Sequence, residues 1–241
     1  MAAHNRRWLI TGASRGLGRQ LALQAAAQGD EVLALARDSA ALHALANAAP
    51  PGRITPLPLD LARADGLGAA VAAAVASAGG VDVLVNNAGI GTYKPLAEHS
   101  EGELLQVLQV NLGAVMQICH ALLPALLTSA AAGRRPHIVN IGSDLGRRPM
   151  ANMAAYVATK YGLTGFSHSL LRELKGAGIK VSLVNPGIID TDFGGGREGS
   201  REEAWSLRPA ELAALVLQLV QQPGSMVVDE LTVHPLGQGE F

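Results

Sequence analysis

Thr11-Gly12-Ala13-Ser14-Arg15-Gly16-Leu17-Gly18 follows the apolar run Trp8-Leu9-Ile10 and leads into an Ala/Leu-rich stretch. The order is strand, glycine turn, helix. Glycines at such a turn let the chain reverse tightly and let a phosphate approach backbone N–H groups at a helix N-terminus, where the peptide dipoles favour an anion. The spacing is Gly-x-x-x-Gly-x-Gly, not the commoner Gly-x-Gly-x-x-Gly. A plain strand–helix connection is the alternative for the turn alone. Its position directly after the first strand points instead to a dinucleotide pyrophosphate. Gly12, Ser14, Arg15, Gly16, Leu17 and Gly18 are therefore candidate cofactor contacts.

Outward from this turn, apolar runs of strand length alternate with helical stretches. Strands are predicted at 8–11, 31–36, 54–59, 81–86, 137–142, 180–185 and 226–233, and helices at 17–28, 39–47, 63–77, 101–128, 154–176 and 209–221. Runs such as Val81-Asp82-Val83-Leu84-Val85 are apolar on both faces, as strands covered by helices on either side must be. The expected fold is α/β, a Rossmann-like doubly wound, mainly parallel seven-stranded sheet between two helical layers. With no linker or internal repeat, residues 1–241 are expected to form a single NAD(P)-binding domain.

Bulk composition excludes several classes. The 241 residues are 49% apolar and 16% charged, and 19 Lys+Arg against 20 Asp+Glu leave a net charge of −1. That balance carries no electrostatic footprint for nucleic acid or an anionic membrane. The single Cys119 excludes an internal disulfide, and the sequence ahead of the first strand lacks the apolar run of a signal peptide. Residues 113–133 contain no Lys, Arg, Asp or Glu, long enough to span a bilayer at roughly 20 residues. Gln117, His120, Pro124, Thr128, Ser129 and many alanines dilute them, which suits a buried helix or a subunit interface. A soluble cytoplasmic protein is expected.

Arg37 follows the second strand, where an adenosine ribose should arrive. NAD sites place an acid there, whereas an arginine suits a 2′-phosphate. The strand closes Leu35-Ala36-Arg37, which favours NADP(H) over NAD(H). Asp38 is the competing feature, because a one-residue shift would offer its carboxylate to NAD.

Tyr156 and Lys160 are four apart in a helical stretch and so share a face. A phenol titrates near ~10 in water, too high for a base at neutral pH. An ammonium ~5 Å away, at an effective dielectric of ~20, stabilises the phenolate by about 3 kcal/mol, or roughly two pKa units. Tyr156 is thus expected to act near neutrality as general acid in reduction and general base in oxidation. Ser143 follows the strand ending Ile141-Gly142, at the edge where open sheets bind ligands, and its hydroxyl is placed to hold a substrate oxygen. A Tyr-x-x-x-Lys pair by itself arises by chance on exposed helices; joined to Ser143 and the glycine turn it becomes specific.

These residues resemble the short-chain dehydrogenase/reductase family along nearly the whole chain. Thr11-Gly12-x-x-x-Gly16-x-Gly18 matches its glycine turn, and Asp60, with Leu61 beside it, its adenine-contacting aspartate. Asn86-Asn87-Ala88-Gly89 matches a segment that supports the sheet and lines the cofactor, placing Asn87, Ala88 and Gly89 there. Pro186-Gly187-Ile188-Ile189-Asp190-Thr191 matches a Pro-Gly-x-x-x-Thr segment, which assigns Pro186, Gly187, Ile189 and Thr191 to the nicotinamide carboxamide. The resemblance makes Asn111, Ser143, Tyr156 and Lys160 the catalytic set, with Asn111 holding a water and Lys160 also binding the nicotinamide ribose. It implies hydride transfer between NADP(H) and a carbonyl or secondary alcohol, and a homodimer or homotetramer formed through the helices of Asn111 and Tyr156. Two departures stand out. Asp144 and Arg147-Arg148 add charges to the pocket wall, and the C-terminal stretch lacks the Asp-Gly-Gly common in acyl-chain reductases of the family.

Gly194-Gly195-Gly196 make the stretch after Thr191 mobile, and the resemblance implies that residues 188–206 form the substrate loop, a lid over the substrate. Phe193 and Trp205 are candidate pocket aromatics. None of the histidines, His120 and His168 included, shows metal-ligand spacing, so no metal is expected. The competing class is a non-enzymatic NADP-binding regulator, which would not require Tyr156 and Lys160.

Overall fold

The protein, as a computed structural model, is described over residues 5–239. Seven parallel strands, β1 (Arg7–Thr11), β2 (Glu31–Ala36), β3 (Ile54–Pro58), β4 (Val83–Asn86), β5 (His137–Ile141), β6 (Lys180–Pro186) and β7 (Glu230–Val233), lie in the order β3-β2-β1-β4-β5-β6-β7. Every pairing in that sheet is parallel, including β6 with β7. The fold is the Rossmann-like α/β sheet expected.

Alternate side chains of each strand feed two cores. Trp8, Ile10, Val83 and Val85 face Leu17, Leu21 and Ala25 of α1 (Gly16–Ala27), Leu42 and Leu45 of α2 (Ser39–Asn47), and Leu212 and Val216 of α7 (Pro209–Gln221). Leu9, Leu84, Ile138 and Leu183 face Val71 of α3 (Leu67–Ser77), Ile118 and Leu122 of α5 (Ala114–Ala131), and Leu163 and Leu170 of α6 (Ala154–Leu174). A strand apolar at consecutive positions is what this two-sided burial requires.

Several boundaries differ from expectation. Helix α3 starts at Leu67 rather than 63, because Gly66 before it is left-handed (φ 74°) and breaks the helical path. Strand β7 starts at Glu230 rather than 226. Met226 and Val227 are half exposed, and the ladder with β6 begins only at Leu183↔Glu230. The helix expected over 101–128 is α4 (Glu101–Leu108), a π-turn at Gln109–Gly113, and then α5. Glu101–Ala131 is long and apolar enough to cross a membrane, but Ala114, Ile118, Leu122 and Leu126 on one face of α5 are fully packed in the core.

In a doubly wound sheet, chain direction from the central strands diverges at a switch point, here between β1 and β4. The carboxyl ends of β1, β4, β5 and β6 open there onto one cleft of about 960 Å³.

Candidate active site

One end of the cleft is the glycine turn. Gly12 is left-handed (φ +67°), and a Cβ on it would stand 2.9 Å from the Ala88 Cα. A Cβ on Gly18 would sit 2.3 Å from the Gly12 carbonyl oxygen, so α1 can close onto the turn only without a side chain there. The Thr11 hydroxyl accepts from the Asn87 and Ala88 amides, both at 3.0 Å, and Asn87 Nδ2 donates to the Thr11 carbonyl at 2.9 Å. These bonds stitch β1 to β4 under the turn. In the sequence Thr11 reads only as part of the turn, since nothing local shows that its hydroxyl serves a segment 76 residues away.

Helix α1 begins without a side-chain cap and without an acid in its first turn, whereas α2 and α4 are capped by Asp38 and Ser100. Its first N–H groups therefore lack intrahelical and side-chain partners and face the cleft beside Ser14, Arg15, Gly16 and Leu17. That is the donor set a pyrophosphate requires. Arg37, Asp60 and Leu61 line the same end. Arg37 is exposed, while Asp38 Oδ1 accepts the Ala41 amide at 3.0 Å as the cap of α2. Asp60 Oδ1 accepts the Ala62 amide at 3.0 Å, holding the bend after β3. Asn87, Ala88 and Gly89 form the floor.

At the other end Ser143, Tyr156 and Lys160 meet, all buried, with Pro186, Gly187, Ile189 and Thr191 opposite. Lys160 Nζ donates to the Ile141 carbonyl at 2.9 Å and lies 5.6 Å from the Tyr156 ring centroid. Burial pushes the Lys160 ammonium down to about 8. Tyr156 departs from expectation. Its phenol lies above, not below, its ordinary range, chiefly because burial strips water from the phenolate; a hydrogen bond with Ser143 opposes this, and the Asp144 charge adds to it. The lysine's attraction alone omits that desolvation. In the protein by itself Tyr156 is held as the neutral phenol, the proton-donating form.

Asn111 sits in the π-turn, fully buried and outside the cleft lining, as is Gly18. Its Nδ2 donates to the Ile90 carbonyl (2.9 Å) and Thr159 Oγ1 (3.2 Å), and its Oδ1 accepts the Ile90 amide (2.8 Å). The side-chain amide thus clamps the cleft-lining Ile90 loop to α6.

The structure also places the charges that sequence alone left unlocated. Asp144 is buried beside Ser143, whose hydroxyl donates to it at 3.1 Å. Its other oxygen accepts from Arg148 Nη2 (2.8 Å) and Gln238 Nε2 (3.0 Å). Gln238 reaches it from 94 positions away and its Oε1 accepts the Ile188 amide, so no sequence pattern could reveal it. Asn185 Oδ1 accepts the Ser143 amide at 3.2 Å. Arg147 instead points away, pairing with Glu230, as does His168. The loop after Thr191 is anchored at its base. Buried Asp190 accepts from the Gly199 and Arg201 amides and from Arg208 (2.6 Å). Phe193 stacks at a tilt on Tyr156, 5.9 Å between centroids, and Trp205 is half exposed. Cys119 is buried, its thiol pushed up to about 12 by burial, which makes it inert. Among the described residues, no His, Cys, Asp and Glu cluster could hold a metal ion.

Known proteins share the family and the fold. A family model described as short chain dehydrogenase matches residues 6–201. An uncharacterized short-chain type dehydrogenase/reductase of Sinorhizobium fredii is 33% identical, over 95% of this chain and 91% of its own. An alcohol dehydrogenase from the archaeon Thermococcus sibiricus, solved with 5-hydroxy-NADP, superposes with a TM-score of 0.89 at 28% identity, covering 99% of this chain and 100% of that one. A 3-ketoacyl-(acyl-carrier-protein) reductase from Brucella melitensis, solved with NADH, gives 0.87 at 29% identity, covering 98% and 99%.

Proposed function

The chain belongs to the short-chain dehydrogenase/reductase family of oxidoreductases, and on that premise we propose that it transfers a hydride between NADP(H) and a carbonyl or secondary alcohol, with Tyr156 as general acid and base. The observation that carries the proposal is the meeting of Ser143, Tyr156 and Lys160 at one end of a cleft whose other end is an uncapped helix N-terminus.

Gly12, Ser14, Arg15, Gly16 and Leu17 would hold the pyrophosphate, and Pro186, Gly187, Ile189 and Thr191 the nicotinamide. The nicotinamide supplies the hydride and, when oxidised, a positive charge. In reduction, Tyr156 gives its proton to the substrate oxygen while Ser143 hydrogen-bonds that oxygen. Ser143 must then turn its hydroxyl from Asp144 to the substrate. Lys160 supplies the charge that steadies the resulting phenolate. Asn111 keeps the Ile90 loop in place and holds a relay water.

Arg37 favours NADP(H): it is exposed at the adenosine end, and Asp38 is committed to capping α2. The relatives include complexes of both kinds, 5-hydroxy-NADP and NADH. We read the chain as one NAD(P)-binding domain in a cytoplasmic homo-oligomer, with residues 188–206 as the substrate loop. Leu105, Leu108 and Met116, exposed on α4 and α5, form an apolar groove suited to a second copy of the chain.

The test is NADPH oxidation against a panel of ketones and aldehydes. Tyr156→Phe should keep NADPH binding, read by nicotinamide fluorescence, and lose about 100-fold or more in kcat. Turnover retained in that variant would remove Tyr156 from the chemistry. NADPH binding without any turnover in the native chain would favour the regulator reading.

A further inference from the structure

Arg148, Arg201 and Arg208 stand near the catalytic end of the cleft and its loop. Arg148 is matched by Asp144 at 2.8 Å, and Arg208 by Asp190 at 2.6 Å. Arg201 lines the cleft, half-buried, and no carboxylate among the described residues lies within ion-pair distance of it.

Its guanidinium is nevertheless held. Nη1 donates to the carbonyls of Ile189 (3.0 Å) and Thr191 (3.2 Å), and the Arg201 amide donates to Asp190 (3.3 Å). Nε and Nη2 make no hydrogen bond among the described residues. The charge is close enough to act on the phenol of Tyr93, which lines the same cleft. A planar cation fixed by two carbonyls on the wall of the cleft, with N–H groups left unused, matches a carboxylate.

We propose that Arg201 is the carboxylate anchor of the substrate subsite, and that the preferred substrates are oxo acids and the corresponding hydroxy acids. This rests on the reductase reading above. The reaction is then R–CO–R′–COO⁻ to R–CHOH–R′–COO⁻, taking a hydride from the nicotinamide and a proton from Tyr156, with the carboxylate chemically unchanged.

The experiment is steady-state reduction of 2-oxobutyrate and levulinate, each beside its methyl ester, by the native chain, Arg201→Met and Arg201→Lys. The native chain should favour the acids in kcat/KM. R201M should lower the acid-to-ester ratio about tenfold or more, and R201K, which keeps the charge, should recover part of it. Raising ionic strength should raise KM for the acids and leave the esters alone. Butyrate, which is redox-inert, should compete with ester reduction in the native chain and lose that competition in R201M. The ratio cancels any general loosening of the Ile189–Thr191 segment. An unchanged ratio in R201M overturns the proposal, as does equal loss on acid and ester together with weaker NADPH binding, which would make Arg201 a support of the cofactor segment. Esters reduced as well as acids by the native chain would overturn it while leaving the reductase reading intact. Absence of turnover on acid and ester alike overturns it too, and the reductase reading falls with it only where the panel of ketones and aldehydes is also inert with either nicotinamide.

Discussion

The Ser143 hydroxyl points at the neighbouring Asp144 carboxylate, 3.1 Å from Oγ to Oδ1, and both groups are buried. The carboxylate accepts the hydrogen bond that Ser143 would otherwise donate to a substrate oxygen, and its charge disfavours the Tyr156 phenolate. Asp144→Asn removes that charge, which favours the phenolate. In alcohol oxidation, where Tyr156 must be deprotonated, the pH midpoint of kcat/KM should move to lower pH. A midpoint that stays put or rises would show that Asp144 does not reach the phenol electrostatically.

Lys160 sits folded at about 8 against an ordinary 10.5, because burial disfavours the ammonium. Between those values the unfolded chain binds more protons, so the penalty is complete below pH 8 and fades as pH rises to 10.5. Lys160→Met should therefore stabilise the cofactor-free protein at pH 7, by about 2 kcal/mol once the bond to Ile141 is discounted. The gain should shrink towards pH 10.5, and reductase activity should vanish. Urea unfolding at several pH values checks it; a destabilised variant at pH 7 contradicts it.

Arg37 stands exposed where the second strand ends, and Asp38 is tied into the α2 cap. Arg37→Asp should lower kcat/KM for NADPH by about tenfold to a hundredfold, from the lost charge-assisted bonds. NADH use should hold or improve, which reverses the preference. Equal effects on both cofactors would show that Arg37 does not read the phosphate.

His137, on β5, is buried with its Nε2 2.8 Å from Ser182 Oγ, and burial with Lys180 and Arg6 nearby holds it down to about 3. The unfolded histidine protonates near 6.5, so folding loses about 1.4 kcal/mol per pH unit from this group as pH falls from 6.5 to 3. Asp82, held at about 2 chiefly by Arg134 and the Arg7 amide against burial, adds to the loss below its ordinary 3.8. His137→Asn should flatten stability between pH 6 and 4. An unchanged slope there would mean that His137 does not govern it.

Much of the fold was legible because its determinants are local. The run Trp8-Leu9-Ile10 is apolar at every position, which only two-sided burial explains, and the structure divides it between two cores. The glycine turn was legible because its backbone needs no Cβ. The π-turn around Asn111 was not, since hydropathy runs unbroken through Gln109–Gly113 and the partners of its amide, Ile90 and Thr159, lie far off in the chain. The start of α3 was missed through Gly66, an ordinary glycine until its left-handed backbone is seen.

Sequence by itself determined the order of strands and helices and which hydroxyl, phenol and ammonium belong together, because periodicity and short spacings act between near neighbours. Only the tertiary structure decided the electrostatics of Tyr156, the partners of Asp144 and the unmatched charge of Arg201. Desolvation, and contacts such as Gln238 to Asp144 across 94 residues, exist only once distant segments exclude water together.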